Sequence, residues 1–168
     1  LLTFGHITER TTQKLVPQCS AEFEPWSITN ESASGMFALC RQPDYRTRIA
    51  HGQLLGVMKR IDKLIELVRV QRLILFETGE LGVGVRRIVG IPQAVAVRMP
   101  VGSNREYEPA LLLPAIPEKS LPPTLFLQPG RYQPQGFLDL YVKQKSSVWM
   151  LDLIDKGHNF EQVTFESV

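Results

Sequence analysis

Short runs of β-forming residues, each cut off by glycine or proline, are what most constrain this chain. They include "EPWSIT", "GMFALC", "QLLGVMK", "VGVRRIVG" and "QAVAVRM", and beyond residue 100 "ALLLPAI", "TLFLQPG", "FLDLYVKQ", "VWMLDLI" and "FEQVTFE". Twelve glycines and twelve prolines supply the breaks. Within the runs the pattern alternates. In "FLDLYVK", Leu138, Leu140 and Val142 share one face and Asp139, Tyr141 and Lys143 the other; in "QAVAVRM", Val95, Val97 and Met99 fall together. Evenly spaced short strands with turn residues between them predict an all-β fold of barrel or sandwich type.

One segment competes with that reading. From Ile61, the residues Leu64, Ile65 and Val68 stand at helical spacing. The β-rich "LVRVQRLILF" and the turn-like "ETGE" at 77–80 favour strands, and the segment is read as two of them. The early "ITERTTQKLV" suits a short helix or an extended arm. A length of 168 residues fits one domain, or two small β units sharing a core. Prolines 109, 114, 117, 122 and 123 crowd one region, as a linker or as edge strands and turns. We place a boundary at 101–108, "VGSNREYE". The expected organisation is an N-terminal arm over 1–14, a β-barrel over 15–100 and a C-terminal β subdomain over 101–168. The last is too small for a secure core of its own, so it is expected to pack on the barrel. The chain starts "LLTF" without an initiator Met, which leads us to expect an upstream region.

Composition narrows the functional classes. No apolar run approaches the roughly 20 residues that cross a bilayer as a helix. A net charge of +2 without a Lys/Arg block argues against nucleic-acid binding by field alone. Cys19 and Cys40 are too far apart for a CxxC pair and read as buried reduced thiols. His6, His51 and His158 have no metal-ligand spacing, so no metal is expected. No GxSxG elbow, Walker loop or Cys–His pairing appears. Gly79, Gly82 and Gly84 lack the spacing and the following helix of a dinucleotide fingerprint, and Asp152 and Asp155 suit a strand end and turn. A non-enzymatic protein without a cofactor is expected.

The stretch "SITNESASGMFAL", residues 27–39, carries the most specific pattern. Asn30 and Ser32 can bond locally to backbone, and Gly35 can take a positive φ or let a ligand approach the chain. Any tight turn has those properties. Upstream lies "ERTTQK" with cations at Arg10 and Lys14; Trp26 precedes the loop, and "ELGVGVRRIVG" supplies a later Gly-punctuated strand. This order resembles the PilZ domain, the bacterial receptor for cyclic di-GMP. That family carries an Arg-x-x-x-Arg arm and then an Asp/Asn-x-Ser-x-x-Gly loop leading into a six-stranded barrel.

The resemblance covers residues 8–100, and it implies a PilZ-like six-stranded antiparallel barrel followed by a second small β-barrel-like subdomain. It implies a cytoplasmic cyclic di-GMP receptor or regulatory module in which Arg10 and Lys14 meet phosphate or guanine, Asn30 and Ser32 contact a base, and Gly35 shapes the loop. Lys14 stands where the motif has its second arginine, and a point charge does not replace a planar fork at a bidentate or stacked site. Arg41 and Arg46, with Arg48, read as a solvated loop or as a substitute cation source. Arg69, Arg86, Arg87 and Arg98 read as strand-face charges. Two alternatives stand beside the receptor: a ligand-independent PilZ-like domain that binds a protein partner, and a nucleic-acid-binding β-barrel.

Overall fold

The computed structural model describes residues 24–40, 48–59, 64–99 and 106–168. The expected arm over 1–14 with Arg10 and Lys14 lies outside those residues, as do Cys19, Arg41 and Arg46. The described chain is almost wholly β, as the punctuated sequence predicts, with one short 3-10 turn at Pro117–Lys119.

Five strands form an antiparallel sheet: β1 Ser27–Glu31, β2 Gly35–Cys40, β3 Leu54–Met58, β4 Ile65–Leu75 and β5 Leu81–Arg87, in the order β1-β2-β5-β4-β3. Six more close on themselves: β6 Gln93–Arg98, β7 Glu108–Leu113, β8 Thr124–Leu127, β9 Phe137–Tyr141, β10 Lys145–Lys156 and β11 Glu161–Ser167, in the order β10-β11-β8-β7-β6-β9. The closed six-stranded barrel is therefore the C-terminal unit. The N-terminal unit, expected to be the six-stranded barrel, is a five-stranded half-barrel sheet among the described residues.

The chain changes sheets at residues 88–92, ahead of the boundary expected at 101–108. β6 is a barrel strand, paired with β7 and β9. Its Val95 and Val97 point into the barrel with Leu138, Leu140 and Val148, and Met99 packs against them, so the alternation read from the sequence holds on this face. Val142 departs from it: β9 ends at Tyr141, and Val142 is exposed in the turn. The bend into β6 is made by Gly90 at φ +120, a conformation that L side chains rarely adopt. The crowded prolines mark the β7–β8 connection inside the barrel rather than a linker. Pro109, within β7, pairs with β6 at Ala96 but lies beyond β8, whose ladder begins at Leu111, so its missing N–H breaks no bond there.

The segment with two competing readings is a single strand, β4, with a register shift between Val70 and Arg72. Both faces of its first half are covered. Val68 and Val70 pack into the sheet's own core with Met36, Leu55 and Val83. Leu67, with Leu54 of β3, packs instead against Leu111, Leu113, Phe126 and Phe160 of the barrel unit. A strand buried on both sides loses strict alternation, and its apolar residues then imitate helical spacing.

That apolar seam joins the two units and is reinforced by polar ties. The Asn159 Nδ2 donates to the Leu54 carbonyl (3.0 Å), and its Oδ1 accepts from the Leu54 N–H (2.7 Å). A side-chain amide thus pairs with the outer edge of β3 at Leu54 as a neighbouring strand would. Beside it, the His158 N–H donates to the Gly52 carbonyl (3.2 Å). Cys40 is buried, as expected of a core thiol, and its Sγ donates to Glu24 Oε1 (2.8 Å).

Candidate functional site

The β1–β2 hairpin turns at Ser32–Gly35. The Ser32 N–H donates to the Gly35 carbonyl (2.9 Å), and the Gly35 N–H donates to Ser32 Oγ (3.2 Å). Ser32 Oγ also lies 3.3 Å from Ser34 Oγ. The hydroxyl is therefore first of all an internal group of the turn. Gly35 does not have a positive φ. It is required because β5 passes close by: a Cβ there would collide with the Val85 carbonyl oxygen. The close approach anticipated at Gly35 is made by this chain's own backbone.

The turn is clamped from β5. Arg87 donates through Nη1 to the Ser32 carbonyl, through Nη2 to Glu31 and through Nε to Glu66 (2.9 Å), while its backbone N–H donates to the Ser34 carbonyl (2.8 Å). Lys59 also reaches Glu31. Hydrogen bonds from Lys59 and then Arg87 hold the Glu31 carboxyl below its usual range, and the bond to Glu66 keeps Arg87 protonated more firmly than usual. Arg87 is a strand-face charge, as the sequence reading had it, and its donors are committed to holding the corner.

Two bulges shape what lies beside this corner. β1 shifts register between Ile28 and Asn30, and β4 between Val70 and Arg72, where Gln71 is the extra residue. Between them is an open depression of about 270 Å³ whose lining includes Asn30, Ser32, Gly35, Phe37, Gln71 and Gly84. Phe37 lies flat over β5, and a Cβ at Gly82 or Gly84 would meet its ring at 2.6 and 3.5 Å respectively. Arg86 lies directly opposite Gly35 in the β2–β5 pairing, with 58% of its side chain exposed. Arg72, paired with Gly84, is a second exposed cation on that face.

The structure thus brings together the three motif residues Asn30, Ser32 and Gly35. The motif spacing does not point to Phe37 or Gln71, which also line the depression, nor to Arg86 opposite Gly35. Period-two alternation offered a signal for two of them: Gly35 and Phe37 share a face of β2, and Gly84 and Arg86 share the matching face of β5. An aromatic floor, side-chain amides and a guanidinium together suit a planar polar ring carrying a negative charge. Among the described residues no group of three His, Cys, Asp or Glu side chains is arranged to hold a metal ion.

On the barrel, two buried carboxylates act as structural clamps. Asp139 accepts from Arg98 Nη2 (2.6 Å) and Ser147 Oγ (3.2 Å) and pairs with Lys145. Burial pushes its pKa up, but the bonds from Arg98 and Lys145 outweigh this and hold it below the usual value. Glu161 accepts from the backbone N–H groups of Arg131 (3.0 Å) and Tyr132 (2.9 Å) and pairs with Lys156. Burial again works upward, and these bonds bring the net shift downward.

Residues 94–168 match the family model described as the FimW C-terminal beta-barrel domain. The match begins one residue into β6 and runs to the end of the chain, so it spans the closed barrel and leaves out the sheet that carries the depression. No curated protein and no solved structure gives a match. No helix among the described residues is long and apolar enough to cross a membrane.

Proposed function

We propose that this chain is a non-enzymatic, PilZ-type receptor or regulatory module for cyclic di-GMP in the bacterial cytoplasm. The observation that carries the reading is the convergence of Asn30, Ser32 and Gly35 on a solvent-open depression with Phe37 in its lining, and Arg86 is paired with Gly35 on the neighbouring strand. A guanine can stack on the Phe37 ring and meet the Asn30 and Gln71 amides with its polar edge. A phosphodiester suits the forked donors of Arg86. By the PilZ resemblance, Arg10 and Lys14 add two further cations. Lys14 in place of an arginine forgoes a bidentate bond, on the order of 1.5–3 kcal/mol, or about tenfold to a hundredfold in affinity.

Calorimetric titration of the full chain with cyclic di-GMP tests the reading. Saturable binding is expected, weakened about tenfold or more by Arg10→Ala and by Asn30→Ala. The absence of heat and of a thermal shift at about 100 µM ligand would remove it. A second reading, a ligand-independent module for a protein partner, is favoured by one observation: Ser32 Oγ and Arg87 are already engaged within the turn. It predicts no response to the nucleotide.

A further inference from the structure

Arg69 of β4 and Arg86 of β5 are direct cross-strand partners. Like charges in that position repel one another. The barrel supplies the counter-charge. Asp155 of β10 places Oδ2 3.0 Å from Arg69 Nη1 and 4.0 Å from Arg86 Nη2. The two arginines are held very differently. Arg69 is 23% exposed and its Nη2 also reaches the Lys156 carbonyl (3.4 Å), while its buried Nε has no hydrogen-bond partner among the described residues. Arg86 sits at the outer limit of an ion pair, its side chain is 58% exposed, and its backbone lies directly opposite Gly35, which lines the depression.

We propose that Arg86 is a shared cation. The Asp155 carboxylate attracts it in the unliganded chain, and a phosphodiester entering the depression competes for it. The proposal rests on the nucleotide reading of the depression and adds the regulation of that site. Because Asp155 belongs to the barrel and Arg86 to the sheet, the competition couples ligand binding to the ionic contact between the two units. Such coupling is reciprocal: whatever weakens the hold of Asp155 must tighten the ligand, and ligand must loosen the contact at Asp155. Arg69 keeps the carboxylate in either state, so the apolar seam of Leu54, Leu67 and Phe160 stays closed while the charge contact at its margin changes.

The test uses the full chain with Asp155→Asn, Arg86→Gln and the double variant, titrated with cyclic di-GMP and, separately, with pyrophosphate as a bare anion probe. Circular dichroism checks that each variant is folded. Asp155→Asn should bind cyclic di-GMP about three- to fivefold more tightly than the parent, a range set by the modest strength of partly exposed ion pairs. Arg86→Gln should bind about tenfold more weakly, and the double variant should show none of the gain. Equal affinity of the parent and Asp155→Asn overturns the shared cation and leaves the receptor reading intact. Should cyclic di-GMP bind none of the proteins, pyrophosphate decides. A thermal shift larger in Asp155→Asn than in the parent, and lost in the double variant, upholds the shared cation while the nucleotide reading falls. No such difference overturns both.

Discussion

Replacing Asn159 by alanine tests how the sheet is fastened to the barrel. Asn159 satisfies both the N–H and the carbonyl of Leu54, a residue with 0% of its surface exposed. Two ordinary hydrogen bonds contribute about 1 kcal/mol each, and stranding both backbone groups in an apolar seam costs about 1–3 kcal/mol apiece where water cannot follow. Some water will enter the space left by the amide, so a net loss of about 2–4 kcal/mol is expected. For a chain of this size that lowers Tm by about 4–16 °C. Urea unfolding followed by circular dichroism measures the loss directly. Asn159→Asp keeps an acceptor for the Leu54 N–H and removes the donor to its carbonyl, so its loss at neutral pH should lie between parent and alanine variant. An alanine variant within about 0.5 kcal/mol of the parent would refute the reasoning, since surface positions without a structural role behave that way.

Gly35→Ala drives a methyl into the Val85 carbonyl and should cost about 2 kcal/mol or more of stability, measured by the same urea titration. Phe126→Ala empties the centre of the seam between the units and should cost about 3–5 kcal/mol, read by calorimetry. Asp139 and Glu161 have folded pKa values held below their unfolded ones, so their contribution is present above about pH 4 and drains away as pH falls through the depressed values. Asp139→Asn should therefore be less stable than the parent at neutral pH and lose less on acidification to about pH 2.5, as followed by thermal melts across that range. In a Cys19→Ser background, Cys40, 2% exposed, should resist a maleimide in the native state and react once urea unfolds the sheet.

What the sequence revealed tracks the range of the interactions. Val95 with Val97 and Leu138 with Leu140 announce their strands because one face of each meets the barrel core and the signal is local. β4 conceals itself because Leu67 serves the barrel while Val68 serves the sheet, a division set by which units meet. The passage at 88–92 is hidden for a similar reason: prolines near 114–123 look like a linker until β7 and β8 are seen to be neighbours. The depression is half legible. Asn30, Ser32 and Gly35 form a compact motif, but Arg86 is brought opposite Gly35 only through the β2–β5 register, and Gln71 joins the lining only through a bulge. Asn159 and Leu54 lie 105 residues apart, and nothing local ties the amide to that edge.

The bulge at Thr29 has a consequence for how molecules of this protein behave in a crowded solution. A closed barrel offers no open backbone to recruit a stranger, and Asn159 caps the outer side of β3 at Leu54. At the opposite edge of the sheet, β1, exposed at each of its residues, is a rim where a neighbour could add a strand and begin a fibre. The kink at Thr29 spoils the regular spacing such stacking requires, so the distortion that shapes the depression also guards against polymerisation.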